Sequence, residues 1–167
     1  MRLLNVIRFR HLVLCITLIG GAPALAKETN VSFGTIAQDT TAPVEMTSDN
    51  LSVDQATGKA IFEGNVLIEQ GNLRLSAGKV EVVYRAESAG IAKLIASGGV
   101  TLVAGADAAE ATRAVYDIDS GAIVMSGDVL LAQGPSALTA QKMTINLKNG
   151  TANMSGQVKT ILQTGKK

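Results

Sequence analysis

The 167-residue sequence holds one cysteine, one histidine, three prolines and no tryptophan. Aromatic residues make up 3% of the chain and charged residues 17%. Cys15 and His11 both lie within the first 26 residues. Beyond that point there is no imidazole base, no thiol nucleophile and no zinc site of the usual nitrogen–sulfur kind. A disulfide framework is excluded as well, so packing and strand pairing must hold the fold together. Paired carboxylates are the remaining catalytic candidates, Asp49 with Asp54 and Asp117 with Asp119. Each flanks a turn, where Asp commonly bonds its own backbone. Gly98-Gly99 is not a phosphate loop, because no helical period follows to hold an anion. The composition therefore argues against an enzyme, and no cofactor or metal is expected.

Long apolar runs are also scarce. Arg2, Arg8 and Arg10 precede the run Leu12 to Ile19, which ends at Gly20, Gly21, Pro23 and then Ala24-Leu25-Ala26. A basic head, a short apolar middle and an A-x-A site predict a secretory signal peptide, residues 1–26, cut after Ala26. The run is far shorter than the roughly 20 residues a bilayer crossing needs. Cleavage would remove three of the 15 basic residues, leaving 12 against 14 acidic ones. This near-neutral balance speaks against nucleic acid, which calls for a basic stripe. The remaining 141 residues are enough for one domain with a real core. Residues 27–42 lack either hydrophobic period and read as a flexible lead-in, and residues 163–167 as a disordered tail.

What the chain does have is alternation. The stretch Val44 to Tyr84 holds three apolar/polar alternating runs, each closed by a Gly-bearing turn. Phe62, Gly64, Val66 and Ile68 fall on one face and Glu63, Asn65 and Glu69 on the other, with Leu67 the exception. Period two predicts half-buried β-strands. Two patterns then recur. Gly-x-Val appears at Gly64, Gly98, Gly127 and Gly156, at spacings of 34, 29 and 29 residues. A small residue leading an alternating run appears at Ser48, Ala77, Ala111 and Ala140, at spacings of 29, 34 and 29. Four copies of a two-strand unit mark a repeat architecture. Glycine at the same point of every copy predicts a bend or bulge at one level, and so a curved trough or flattened tube. Turn chemistry at Gly58, Gly71, Gly121 and Gly150 supports hairpins. The Ala-rich piece Ala104 to Ala114 reads as a turn and a strand.

Taken in phase, the interior set is Met46, Leu51, Val53, Phe62, Val66, Ile68, Leu73, Leu75, Val80, Val82, Leu94, Val100, Leu102, Tyr116, Met125, Val129, Leu131, Met143 and Ile145. Such a set either packs closely or lines an apolar channel, and the general density of protein interiors favours the packed core. Lys79, Arg113 and Lys142 hold equivalent places in three copies, with Asn50 in the first. They form either a rail for phosphates or, as we favour, a solvated face that discourages edge pairing.

Met46-Thr47-Ser48-Asp49, Leu51-Ser52-Val53 and Ile61-Phe62-Glu63-Gly64-Asn65-Val66-Leu67-Ile68-Glu69-Gln70-Gly71 resemble the LptA/OstA family of periplasmic lipopolysaccharide-transport proteins. The likeness continues through Ala77-Gly78-Lys79-Val80 and, more weakly, from Val124 to Ile145, within residues 43–162. The resemblance implies an all-β fold, a twisted jellyroll of antiparallel strands open at both ends and built from four two-strand repeats. It further implies that the interior set lines a groove for the lipid A portion of lipopolysaccharide. Implied partners are an LptC-type inner-membrane protein, an LptD-type outer-membrane protein and further copies end to end. Contacts would run through edge residues Val44, Glu45, Met46, Val158, Thr160 and Leu162. The implied location is the periplasm. A second reading, from the repeats alone, is a structural β-solenoid or filament-forming protein without lipid cargo.

Overall fold

The computed structural model describes residues 29–33, 39–54, 56–85 and 90–161. The expected signal peptide, the tail and Leu162 lie outside them. Eleven strands form one unclosed antiparallel sheet, with no helix among the described residues. They are β1 (Thr29–Ser32), β2 (Glu45–Thr47), β3 (Asn50–Asp54), β4 (Lys59–Gln70), β5 (Leu73–Tyr84), β6 (Ile91–Ala104), β7 (Asp107–Asp117), β8 (Ala122–Gln133), β9 (Ser136–Asn146), β10 (Thr151–Ser155) and β11 (Lys159–Ile161). From β4 to β9 each strand pairs with its neighbour in sequence.

The long strands are bent, and the bends explain the repeats. Register shifts fall between Glu63 and Val66, Ser76 and Lys79, Ser97 and Val100, Glu110 and Arg113, and Ser126 and Val129. At that level Gly64, Gly98, Gly127 and Gly156 take φ of 79° to 82°. The next residues Asn65, Asp128 and Gln157 are also left-handed, at 46°, 48° and 51°. Two consecutive left-handed residues turn a strand through a bulge. At Gly127 the requirement is steric as well: a Cβ there would lie 2.7 Å from Thr112 Oγ1. Gly64 therefore belongs to the bulge and not to the apolar face on which simple alternation put it.

The bend divides the sheet into two facing halves. In one, β3 pairs the first part of β4, and β10, flanked by β1, pairs the last part of β9. In the other, β2 pairs the last part of β4 and β11 the first part of β9. Strands β2 and β3 thus act as one bent strand, as do β10 and β11. Counted this way, the four two-strand repeats are eight bent strands, with β1 added to one half. Strands that are not sheet neighbours keep their Cα atoms more than 8 Å apart, so side chains alone fill the space between the halves.

Two segments differ from the sequence reading. Within the expected flexible lead-in, residues 29–32 form β1 on β10, and Phe33 is buried in the core at 2% exposure. Its amide donates to Gly150 O at 2.9 Å. A single large apolar residue in a polar stretch carries no period, which is why alternation missed it. The expected edge strands, Val44 to Met46 and Gln157 to Leu162, shift to β2 and β11, because Gln157 stands in the bend. The turn-and-strand reading of Ala104 to Ala114 holds, with β6 ending at Ala104 and β7 beginning at Asp107.

Candidate functional site

The interior is built from cross-strand rows. In the β3 half one row runs Val53, Ala60, Val82, Leu94, Tyr116, Ile123, Ile145, Ala152, Val31. The next runs Leu51, Phe62, Val80, Ala96, Ala114, Met125, Met143, Met154. In the β2 half the matching row is Met46, Ile68, Leu75, Leu102, Ala109, Leu131, Leu138, Thr160. Directly opposed residues share a face, so each row is a continuous apolar line across the stacked strands. The two halves face one another across a single hydrophobic cluster.

Most of the interior set falls where alternation put it. Val66, Ile68, Leu73, Leu75, Val80, Val82, Leu94, Val100, Leu102, Tyr116, Met125, Val129, Leu131, Met143 and Ile145 are all buried to 2% exposure or less. Phe62 and Met46 are half-buried against them. Leu51 and Val53 differ: they lie in the same rows but are 56% and 62% exposed. Strand β3 ends the sheet, and no further strand shields its inner face. The sequence reading missed Phe33, Ile123, Leu138, Leu147 and Met154. Met154 was within reach, since it precedes Ser155-Gly156 as Met125 precedes Ser126-Gly127.

Tyr116 OH donates a hydrogen bond to Gln70 Oε1. Tyr116 belongs to the β3 half and Gln70 ends β4 in the β2 half, so this bond crosses the interior. Gln70 Nε2 donates to Thr40 O at 3.1 Å and Ala42 O at 2.9 Å. Burial pushes the Tyr116 hydroxyl up from its ordinary 10.0 to about 12, against the smaller opposing effect of Gln70. The residues before β2 also link the strand tips elsewhere, as Gln133 Nε2 donates to Ser32 O at 2.6 Å.

Lys79, Arg113 and Lys142 share one outer row with Asn50, Glu63, Ser97, Ser126 and Ser155. Lys79 Nζ sits 2.8 Å from Glu63 Oε1. The row lies on the opposite face from Val80, Ala114 and Met143, so these cations do not line the interior. The carboxylate pairs are turn elements. Asp54 Oδ1 accepts from Ala56 N at 2.9 Å, and Asp117 Oδ1 from Ser120 N at 2.9 Å. Bonds from Thr57 and Ala56 lower the Asp54 pKa, and bonds from Ser120 lower that of Asp117. Asp49 accepts from Asn65 Nδ2 at 2.8 Å, and Asp119 pairs with Arg85. No group of three or more His, Cys, Asp or Glu side chains suited to a metal occurs among the described residues.

An unclosed, bent, antiparallel sheet wrapped around one unbroken apolar interior is a β-jellyroll of the LptA type. Residues 45–158 match the family described as LptA/(LptD N-terminal domain) LPS transport protein, and the chain belongs to that family. The fold also matches the crystal structure of LptH from Pseudomonas aeruginosa, described as the LptA homologous periplasmic component of the conserved lipopolysaccharide transport device. That match has a TM-score of 0.66 and 14% identity, and covers 75% of this chain and 99% of that one. A protein of Rhizobium meliloti (strain 1021), described as uncharacterized, is 31% identical over 108 residues. The match covers 60% of this chain and 58% of that relative's length.

Proposed function

We propose that this protein is a periplasmic, non-enzymatic lipopolysaccharide carrier. It would form part of a bridge between an LptC-type inner-membrane protein and an LptD-type outer-membrane protein. The observation that carries this reading is the set of apolar rows that cross every strand and run out exposed at Leu51 and Val53. Each methylene placed in apolar surroundings is worth about 0.8 kcal/mol, so an acyl chain of about a dozen carbons costs on the order of 10 kcal/mol to expose to water. An apolar passage removes most of that cost with no reaction and no cofactor. The sheet ends supply what a bridge needs. β2 and β3 at one end, and β1 and β11 at the other, carry unpaired backbone groups able to accept another copy's strand. Val44, Glu45, Met46, Val158 and Thr160 flank or form these edges, and Val31, Leu51 and Val53 join them.

A photo-crosslinker at Phe62 or Val66 should capture lipopolysaccharide in cells, while one at Glu63, on the outer face, should not. Failure of both interior sites to capture it overturns the reading. The second reading, a structural β-solenoid or filament-forming protein without lipid cargo, is favoured by the close burial of the interior rows. It requires assembly that is indifferent to lipid, which the same capture experiment separates.

A further inference from the structure

We infer that the Tyr116–Gln70 hydrogen bond is a clasp that holds the two halves of the jellyroll at their closed separation, and that acyl chains enter by displacing it. This rests on the lipid-carrier reading. The two halves are joined covalently along the bend, and the clasp sits at the opposite, tip side. Gln70 is the last residue of β4, and Tyr116 is the residue before the end of β7. Widening the interior moves the tips further than any other part. Among the described residues Gln70 is the one buried polar side chain, 3% exposed in otherwise apolar surroundings. All its polar atoms are satisfied: Oε1 by Tyr116, Nε2 by Thr40 O and Ala42 O.

When the halves move apart, incoming hydrocarbon takes the place of the apolar side chains that had packed across the gap, so that packing opposes entry little. A hydrogen bond is different, because it has a narrow range of length and hydrocarbon offers no substitute partner. The clasp is therefore the part of the interior that distinguishes the closed state from a lipid-filled one. Replacing both partners with apolar groups of similar shape removes that preference while leaving no unsatisfied polar side chain between the sheets.

The test compares the wild-type protein with Gln70→Leu/Tyr116→Phe and with Tyr116→Phe alone. Binding of purified lipopolysaccharide and, separately, of anilinonaphthalene sulfonate is titrated. Cooperative urea unfolding with an unchanged slope certifies a packed interior. The double variant should bind both probes about fivefold more tightly, corresponding to one net hydrogen bond. If the double variant does not fold cooperatively, Tyr116→Phe, which deletes one oxygen, carries the comparison. Unchanged or weaker binding of both probes by a cooperatively folded variant overturns the clasp. Tighter dye binding without any lipopolysaccharide binding by either protein supports the clasp and removes the carrier reading. Equal lipopolysaccharide binding by both proteins, with the dye unchanged, does the reverse.

Discussion

The two ends of the stacked sheet are made differently. At one end the inner face of β3 stops bare, leaving Leu51 and Val53 open to water. At the other, β1 is laid over β10, and Phe33 beside it is packed to 2% exposure. The same interior rows thus terminate in an unshielded aliphatic pair on one side and under the chain's own N-terminal segment on the other. An apolar row that ends in solvent costs stability in isolation and gains by association. One that is covered does the opposite. The first end is therefore suited to receive a partner and the second to stabilise the domain.

That contrast is open to direct test. The largest effect is expected from Phe33→Ala at the covered end, a loss of about 3–5 kcal/mol in urea unfolding. Leu51→Ala at the bare end should change the same measurement by less than about 0.5 kcal/mol, as for most exposed positions. An equal loss at both sites would erase the distinction. Next in size is the bend. Gly156→Ala would place a methyl 2.7 Å from Gln141 Oε1 at a φ of 80°, with an expected cost of about 1–3 kcal/mol. Gly99→Ala, at the same φ but with nothing within 4 Å, should cost only the backbone strain of about 1–2 kcal/mol. For association, Leu51→Lys/Val53→Lys should leave unfolding unchanged yet reduce end-to-end oligomers in sedimentation velocity. Persistence of those oligomers would assign them to another surface.

The smallest effect is in alkali. Because folding raises the Tyr116 pKa, the neutral hydroxyl contributes stability that is fully present below pH 10.0 and is lost as pH rises toward about 12. Urea midpoints should fall across that window in the wild-type protein and less steeply in Tyr116→Phe.

Much of this was legible in the amino-acid order. Period-two alternation located the long strands, and Gly-x-Val at fixed spacing located their bends, because only a bulge needs glycine at that point in every copy. Alternation also assigned fifteen of the nineteen interior residues to fully buried positions. It failed where burial depends on neighbours rather than on period. Leu51 and Val53 have the right phase but no strand beyond them. Phe33 has no phase at all and is buried by where the chain travels. Gln70 continues the sequence Val66, Ile68 in phase as a polar residue. Its role is set by Tyr116, 46 residues away, and nothing local announces such a pairing.

The alignment of every bend at one level has a consequence for how such a molecule can change in size. Each two-strand unit carries its own bulge, its own share of both walls and its own hairpin, and meets only the units beside it. Duplicating or deleting one unit would lengthen or shorten the conduit by about 9.6 Å, two inter-strand spacings, while leaving its bore unaltered. Reach across a compartment could then be adjusted by whole-unit duplication or loss, independently of whatever the bore is shaped to hold.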